Sequence, residues 1–264
     1  ELCKGFMQKV PRHIEGMRLL ADIGNRLGVL EDAEFLLESA IAFSPDSIQV
    51  RIDYIQVLRK RHKYEKALAQ AKLLLAKDPK NPQFQSVFAV ESMQSGDYAT
   101  ALKAFDSILK IIPEDPVTLT SRGTVLKTTG QTDEAIESYR RAIKKYQGHG
   151  EAYYSMANLK LFSFSEEEIA IMEAQKNNLG ISHMSRVYIN FALGKAYEDK
   201  GLFEKSFEHY ELGNSYKKAQ SRYKSNELTD EFQAQADVFD DAFVPRHSGT
   251  AADAPDPIFI VGLP

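Results

Sequence analysis

Residues that could do chemistry are scattered along this chain rather than gathered into a reactive set. The six histidines form no His-x-x-x-His pair and no cysteine–histidine set with metal-ligand spacing. Cys3, the single cysteine, has no partner for nucleophilic catalysis, so we expect a buried helical side chain. Three glutamates, Glu166 to Glu168, lie at a predicted helix start, where the helix dipole explains them better than acid–base catalysis. We therefore expect no catalytic activity, metal site or cofactor within these residues.

Composition excludes several classes of function. The chain has 264 residues, a net charge of −4 and a pI near 5.9, which gives no electrostatic reason to expect nucleic acid or an anionic membrane as a partner. One cysteine allows no intrachain disulfide and fits a reducing compartment. No apolar run approaches the roughly 20 residues of a membrane helix. These features predict a cytoplasmic, mostly helical protein.

Two residue series recur every 34 positions and indicate the elements that carry any binding site. The alanine series and the proline series are Ala33, Ala67, Ala101, Ala135 and Pro11, Pro45, Pro79, Pro113. A 34-residue period is typical of a helix–turn–helix repeat. Alanine allows two helices to cross closely, and proline ends the second helix. The pattern predicts four regular units, 14–47, 48–81, 82–115 and 116–149.

Two segments show which repeat this is. They are Gly96-Asp-Tyr-Ala-Thr-Ala-Leu-Lys-Ala-Phe, with Pro113 following, and Gly130-Gln-Thr-Asp-Glu-Ala-Ile-Glu-Ser-Tyr. Both resemble tetratricopeptide repeats, and the resemblance extends over 14–149 and again over 187–214. It implies an all-α, right-handed superhelical solenoid that binds a protein or peptide.

In this repeat family one face of the first helices lines a concave groove. Counted in phase, that face takes in Arg18, Asp22, Ile52, Gln56, Ser86, Val90, Met93, Thr120, Thr124, Tyr154, Asn158, Phe191 and Lys195. The partner-binding candidates among them are Gln56, Met93, Thr124, Tyr154, Asn158 and Lys195. The face is poor in cations, which argues against clamping a peptide carboxylate. Tyr154 and Asn158, one helical turn apart, could contact an extended peptide, with a structural role as the alternative.

The repeat pattern also predicts where the solenoid changes. Residues 1–13 are expected to be the tail of a truncated preceding repeat. Residues 150–186 form an irregular repeat, whose first helix is expected to be normal through Leu159. There Ile169 replaces the alanine, and a capping box, Ser165 to Glu168, starts a displaced or shortened helix that ends at Gly180. Ser182 is expected to cap the next helix. The break is either a tolerated irregularity or a bend that shapes the groove.

Beyond the sixth repeat, 187–214, the composition changes. Residues 215–244 are predicted to be capping helices, one of which opens at Thr229-Asp-Glu and carries an apolar stripe of Leu228, Phe232, Phe239 and Phe243. Residues 245–257 have the composition of a linker. Residues 258–264, Ile-Phe-Ile-Val-Gly-Leu-Pro, are predicted to be the first strand of a truncated α/β domain.

The junction between repeats and tail resembles bacterial proteins that join tetratricopeptide repeats to a sulfotransferase domain. The resemblance lies in Phe191-Ala-Leu-Gly-Lys-Ala-Tyr-Glu-Asp-Lys-Gly, Ser206-Phe-Glu-His-Tyr-Glu-Leu-Gly-Asn and Pro257-Ile-Phe-Ile-Val-Gly-Leu-Pro. It implies that Gly262, Leu263 and Pro264 form the entrance of a loop that binds 3′-phosphoadenosine 5′-phosphosulfate (PAPS). The residues that hold the phosphate and the catalytic base would lie downstream.

The leading hypothesis is that the repeats recruit or position an acceptor for a PAPS-dependent domain in the same polypeptide, with protein tyrosine as one candidate acceptor. Upstream repeats and the downstream domain would then be partners in cis. A non-enzymatic scaffold for protein–protein interaction is the alternative. A third reading, fusion to a different transferase such as a glycosyltransferase, is disfavoured by the Ile-Phe-Ile-Val-Gly-Leu-Pro tail.

Overall fold

The computed structural model describes residues 2–159, 162–220, 224–239, 241–243 and 246. The described residues form fourteen α-helices and no strand. The first seven, α1 to α7, are Leu2–Lys9, Ile14–Leu27, Leu30–Phe43, Ile48–Lys60, Tyr64–Lys77, Pro82–Gln94 and Tyr98–Ile111. The others, α8 to α14, are Pro116–Thr128, Thr132–Lys145, Gly150–Ala157, Glu166–Lys176, His183–Asp199, Phe203–Gln220 and Ser225–Val238. The chain divides into two compact units, Glu1–Tyr216 and Lys217–Pro264.

The first unit is a solenoid of helix pairs. Helix α2 packs against α3, α4 against α5, α6 against α7 and α8 against α9. Each second helix of a pair also packs against the first helix of the next pair. First helices also touch one another, as α2 touches α4, α6 touches α8 and α8 touches α10, and we call α2, α4, α6, α8, α10 and α12 the first-helix layer. The predicted all-α solenoid is confirmed.

The recurring alanines lie where the paired helices cross. Ala33, Ala67, Ala101 and Ala135 are all 0% exposed. Other small residues serve the same close packing. A Cβ on Gly123 of α8 would lie 2.6 Å from the ring of Tyr139 on α9, so only glycine leaves room for that ring.

Turns and helix ends also follow the repeat. A residue one or two positions after the first helix has a left-handed backbone, at Gly28, His62, Gly96, Gly130 and Gly201. Glycine adopts this conformation without strain, which explains its recurrence. Each of the helices α1, α3, α5 and α7 ends two residues before a proline of the series, as predicted.

The fifth helix pair departs from the others, and one prediction about it is wrong. Its first helix, α10, has only eight residues and ends at Ala157 instead of continuing through Leu159. Asn158 follows the last helical residue, and its side-chain Nδ2 donates to the Tyr154 carbonyl at 2.9 Å. Asparagine side chains compete with the helical ladder in this way, which ends the helix.

Helix α11 begins as predicted and ends earlier than predicted. Ser165 Oγ accepts from the Glu168 backbone N–H at 3.2 Å, and the Ser165 N–H donates to Glu168 Oε2 at 2.9 Å, so the capping box is confirmed. The helix is short, at eleven residues, and stops at Lys176 rather than Gly180. The Asn178 side chain accepts from the Gly180 N–H at 2.8 Å and closes a turn there instead.

The break in the repeat brings α10 directly against α12. A Cβ on Gly150 would lie 2.7 Å from the Cα of Ser185, so the two backbones nearly touch. Ile169 and Met172 of α11 are buried in the same core cluster as Ala192 of α12. The bulky Ile169 is accommodated because α12, rather than α11, makes the close crossing with α10.

In the second unit, α14 begins at Ser225, four residues before the predicted Thr229 start, with Lys224 at the N-cap. Phe239 follows the last turn, and its ring centroid lies 4.5 Å from that of Phe243. The capping role of this segment stays a prediction. Residues 247–264, which hold most of the predicted linker and all of the predicted strand, lie outside the described residues, as do Gly262, Leu263 and Pro264.

Candidate functional site: an aromatic groove on α10, α12 and α13

The structure brings three of the six partner-binding candidates to one place. Tyr154, Asn158 and Lys195 line a cavity of about 240 Å³ in the first unit. The other residues of its wall are Ala157, Phe191 and Tyr210. We call this cavity, together with the adjoining ring of Tyr188, the aromatic groove.

Four rings form a continuous series along the groove. Tyr154 stacks on Tyr188, with ring centroids 5.0 Å apart and planes 25° apart. Phe191 lies 6.1 Å from Tyr154, and Tyr210 lies 6.4 Å from Phe191. All three separations fall in the range where aromatic rings attract one another beyond simple burial. Tyr154, Phe191 and Tyr210 remain partly exposed, so a ligand can bury them further.

Small residues allow these rings to meet. Gly150 permits the close approach of α10 and α12, which places Tyr154 against Tyr188 and Phe191. A Cβ on Gly194 would lie 2.6 Å from the ring of Tyr210, so α13 can pack its tyrosine onto α12 only beside glycine. The groove is therefore held by rigid helix packing rather than by a loop.

The polar groups of the groove are mostly occupied by one another. Lys195 pairs with Asp199 one turn further along α12. The Tyr210 hydroxyl donates to Glu198 Oε2 at 2.8 Å. Burial raises the pKa of Tyr210, and the hydrogen bond to Glu198 adds to the increase. Burial likewise raises the pKa of Tyr188, with a further contribution from the Glu151 carboxylate.

A buried polar network stands behind the rings and joins α11, α12 and α13. His209 Nδ1 lies 3.1 Å from Asn190 Oδ1, and its Nε2 lies 3.1 Å from Glu173 Oε1. The Tyr197 hydroxyl donates to the same Glu173 oxygen at 2.9 Å. Asn190 and His209 directly precede Phe191 and Tyr210 in the chain, so this network fixes the crossing that positions both rings.

The other three candidates lie elsewhere on the first-helix layer. Gln56 is exposed beside a narrow cleft on α2 and α4. Met93 is half-buried and packs against the core cluster that contains Phe105. The Thr124 hydroxyl donates to the Thr120 carbonyl at 3.0 Å. These side chains do not converge on one site, and their role in partner binding stays a prediction.

Comparison with known families and proteins agrees with this architecture. Residues 5–118 match a family model described as the cytochrome c-type biogenesis protein H TPR domain. Residues 118–144 match the tetratricopeptide repeat model. Residues 5–144 form a tetratricopeptide-repeat region.

Curated relatives share this region over part of their length. The chain is 31% identical over 93 residues to the probable UDP-N-acetylglucosamine–peptide N-acetylglucosaminyltransferase SPINDLY of Solanum lycopersicum, covering 35% of this chain and 10% of that protein. It is 27% identical over 120 residues to tetratricopeptide repeat protein 6 of Homo sapiens, covering 46% and 23%. The chain thus spans less than a quarter of the length of either relative.

A solved tetratricopeptide repeat protein from Parabacteroides merdae has the same fold. The two share 18% sequence identity with a TM-score of 0.59, over 86% of this chain and 87% of that one.

Counting in phase along the tetratricopeptide repeats missed two residues of the groove. Tyr188 lies 34 residues after Tyr154, but the fifth unit is longer than 34 residues, so counting by units predicts Phe191 as the next groove residue. In the structure the rings of Tyr188 and Phe191 both contact that of Tyr154. A search one helical turn either side of Phe191 would have found Tyr188. Tyr210 occupies the repeat position that is buried in regular repeats, as at Tyr139, so the repeat pattern places it in the core rather than in the groove.

No group of three or more histidine, cysteine, aspartate or glutamate side chains in the described part of the chain could hold a metal ion. None of the described helices combines the length and the apolar character needed to cross a membrane.

Proposed function

We propose that this repeat region binds an extended segment of a partner protein in the aromatic groove. The observation that carries the proposal is the convergence of Tyr154, Phe191 and Tyr210, all partly exposed, on one cavity between rigid helices. Partly exposed aromatic side chains gain much from further burial, and tyrosine is among the residues enriched at binding hot spots. Helices hold such a site more precisely than loops do.

The chain offers a matched control for this proposal. Asn158 lies at the rim of the groove, and Gln56 occupies the same repeat position three repeats earlier. Both side chains are exposed carboxamides of similar size, but of the two only Asn158 lies beside the ring series.

The test selects ligands from a random octapeptide library displayed on phage, with the whole chain as bait. Tyr154→Ala is expected to weaken the selected peptides by about tenfold or more, as hot-spot truncations do. Asn158→Ala is expected to weaken them less, and Gln56→Ala to change affinity less than about twofold. If no peptide is selected, or if Tyr154→Ala binds as tightly as the wild type, the proposal is rejected.

For the larger polypeptide we propose that the bound segment is an acceptor presented to a PAPS-dependent sulfotransferase domain. The support is the resemblance of Phe191 to Gly201 and of Pro257 to Pro264, in which Gly262, Leu263 and Pro264 would open the PAPS loop. Incubating the full-length protein with labelled PAPS and groove-binding peptides tests it. Absence of both transfer and PAPS binding would favour the alternative, a non-enzymatic scaffold that binds the same peptides.

A further inference from the structure

Among the described residues, several carboxylates interact with side chains of the aromatic groove. Three carboxylates, Glu151, Glu198 and Asp199, lie on the helices that form it. Among the described residues that line the cavity, the one ammonium is that of Lys195, which is already paired with Asp199. Carboxylates act on the rings at both ends of the series, since Glu151 raises the pKa of Tyr188, after burial, and Glu198 raises that of Tyr210, after burial.

The rings themselves reinforce this charge. The face of an aromatic ring carries the negative part of its quadrupole, and a cation within about 6 Å of a ring centroid is attracted to it. Tyr154, Phe191 and Tyr210 line one small cavity, so an entering side chain meets several rings together. The cavity of about 240 Å³ is large enough for one long side chain rather than a folded element.

We propose that the aromatic groove takes a cationic side chain, an arginine or a lysine, from the bound segment. This inference rests on the proposed function, because it names the chemistry of the side chain that enters the same groove. A carboxylate in that position would be repelled by Glu151, Glu198 and Asp199, and Lys195, the described cation of the cavity wall, is already paired with Asp199. An aliphatic side chain would bury apolar area but gain no attraction from the nearby carboxylates.

Three octapeptide pools, each random except for a fixed central arginine, glutamate or leucine, provide the direct test. The arginine pool is expected to bind the whole chain at least fivefold more tightly than the other two, because a cation is attracted to the ring faces. In a single arginine peptide drawn from that pool, replacing arginine by the neutral isostere citrulline is expected to weaken binding by a similar factor.

Variants of the groove separate ring chemistry from simple burial. Tyr154→Leu keeps an apolar side chain but removes the ring, so it is expected to lose the arginine preference, whereas Tyr154→Phe retains the ring and should bind the arginine pool within about twofold. Glu151→Gln and Glu198→Gln are each expected to weaken that pool by about two- to threefold, and less in 1 M salt, where charges are screened. Glu65→Gln, on the exposed surface of α5, is the matched control and should have no effect.

The outcomes distinguish this inference from the proposed function. Preferred binding of the leucine or glutamate pool, still abolished by Tyr154→Ala, overturns the cationic ligand and leaves peptide binding in the groove intact. Equal affinity for arginine and citrulline peptides also overturns it. Failure of all three pools, or insensitivity to Tyr154→Ala, rejects the proposed function itself. Circular dichroism and thermal midpoints of each variant confirm that the helices are retained.

Discussion

The two ends of the first-helix layer share one framework and differ in what they offer a partner. At the α2–α4 end, polar side chains bond to one another, as Arg18 Nη1 lies 3.2 Å from Asp53 Oδ2 and Gln49 Nε2 donates to Asp53 Oδ1 at 2.8 Å. At the α10–α12 end, the rings of Tyr154 and Phe191 line a cavity. The polar side chains of the first surface are satisfied within the chain, whereas the second surface offers a cavity lined by partly exposed rings.

This difference teaches that packing positions of the repeat set the architecture, while departures from the repeat create the site. The buried alanines are alike in every regular unit. The aromatic groove instead arises where α10 is short and packs directly on α12. Whether the irregular unit is a tolerated irregularity or a bend that shapes the groove for a partner stays a prediction.

The largest expected effect comes from a substitution that forces α10 and α12 apart. Gly150→Ala places a Cβ 2.7 Å from the Cα of Ser185, and backbone cannot move aside as a side chain can. We expect a loss of about 3 kcal/mol in unfolding free energy, at the upper end of overpacking costs. Urea unfolding followed by circular dichroism measures it, and peptide binding at the groove should fall as well.

Gly5→Ala is the control for this change, since a Cβ on Gly5 in α1 has no atom within 4 Å. It should leave stability unchanged or raise it slightly, because alanine favours helix. Equal effects of the two substitutions would mean that the α10–α12 contact does not depend on glycine.

The second prediction concerns the α2–α5 end, where Glu34 is 5% exposed and buried between repeats. Its Oε2 accepts from Arg61 Nη1 at 2.6 Å and its Oε1 from Lys63 Nζ at 2.7 Å. Glu34→Gln is expected to lower the free energy of unfolding by about 2 kcal/mol at pH 7, because Arg61 and Lys63 lose the negative charge of their buried partner. The loss is moderate because both cations can regain contacts with water. Chemical denaturation at pH 7 and pH 3 measures the cost.

The pH dependence of this contribution follows from the pKa of Glu34. Burial raises that pKa, but hydrogen bonds and charge from Lys63 and Arg61 outweigh burial, so it lies below the ordinary 4.5. The stabilisation is therefore complete above pH 4.5 and is lost as the pH falls through the lower folded-state pKa. The difference in stability between the wild type and Glu34→Gln should therefore be smaller at pH 3 than at pH 7. Glu38→Gln, one turn along on the exposed face, should show no such difference at either pH.

The third prediction distinguishes the two ends in mild acid. Burial lowers the pKa of His209 below 6.5, and the Glu173 carboxylate offsets part of the decrease. The unfolded chain therefore takes up the proton first, so this contribution to stability is present above pH 6.5 and declines as the pH falls below it. Each unit by which the pKa is lowered corresponds to about 1.4 kcal/mol.

Hydrogen exchange at pH 7.5 and pH 5.5 tests this prediction. After correction for intrinsic exchange, protection in α11–α13 should fall at pH 5.5 while α2–α5, which depend on Glu34, keep theirs. His209→Gln should remove part of the change, and the remainder is expected from His149, whose pKa is also lowered by burial. Uniform loss of protection along the solenoid would show that the two ends respond as one.

The sequence was sufficient to predict the features that recur with the 34-residue period and insufficient to predict those that depart from it. The alanine series that contains Ala33 and the proline series that contains Pro45 recur in phase, so helix crossings and helix ends could be predicted from spacing alone. The end of α10 at Ala157 could not, because it depends on how α12 packs across Gly150, a tertiary contact with no period. The same contact brings Tyr188 against Tyr154. Counting in phase therefore predicted Tyr154 as a groove residue and missed Tyr188.

The smallest expected effect is at the self-satisfied end of the layer. Asp53→Ala removes the partner of Arg18 and Gln49, but Arg18 is partly exposed and keeps its ion pair with Glu15 at 2.9 Å. Partly exposed ion pairs contribute about 0.2 to 1 kcal/mol, so the thermal midpoint of Asp53→Ala should lie only a few degrees below that of the wild type. High salt should change this difference little. Octapeptide affinity should not change. A loss of affinity comparable to that of Tyr154→Ala would show that the ligand runs the whole length of the first-helix layer, and the contrast between its two ends would then be one of stability rather than of binding.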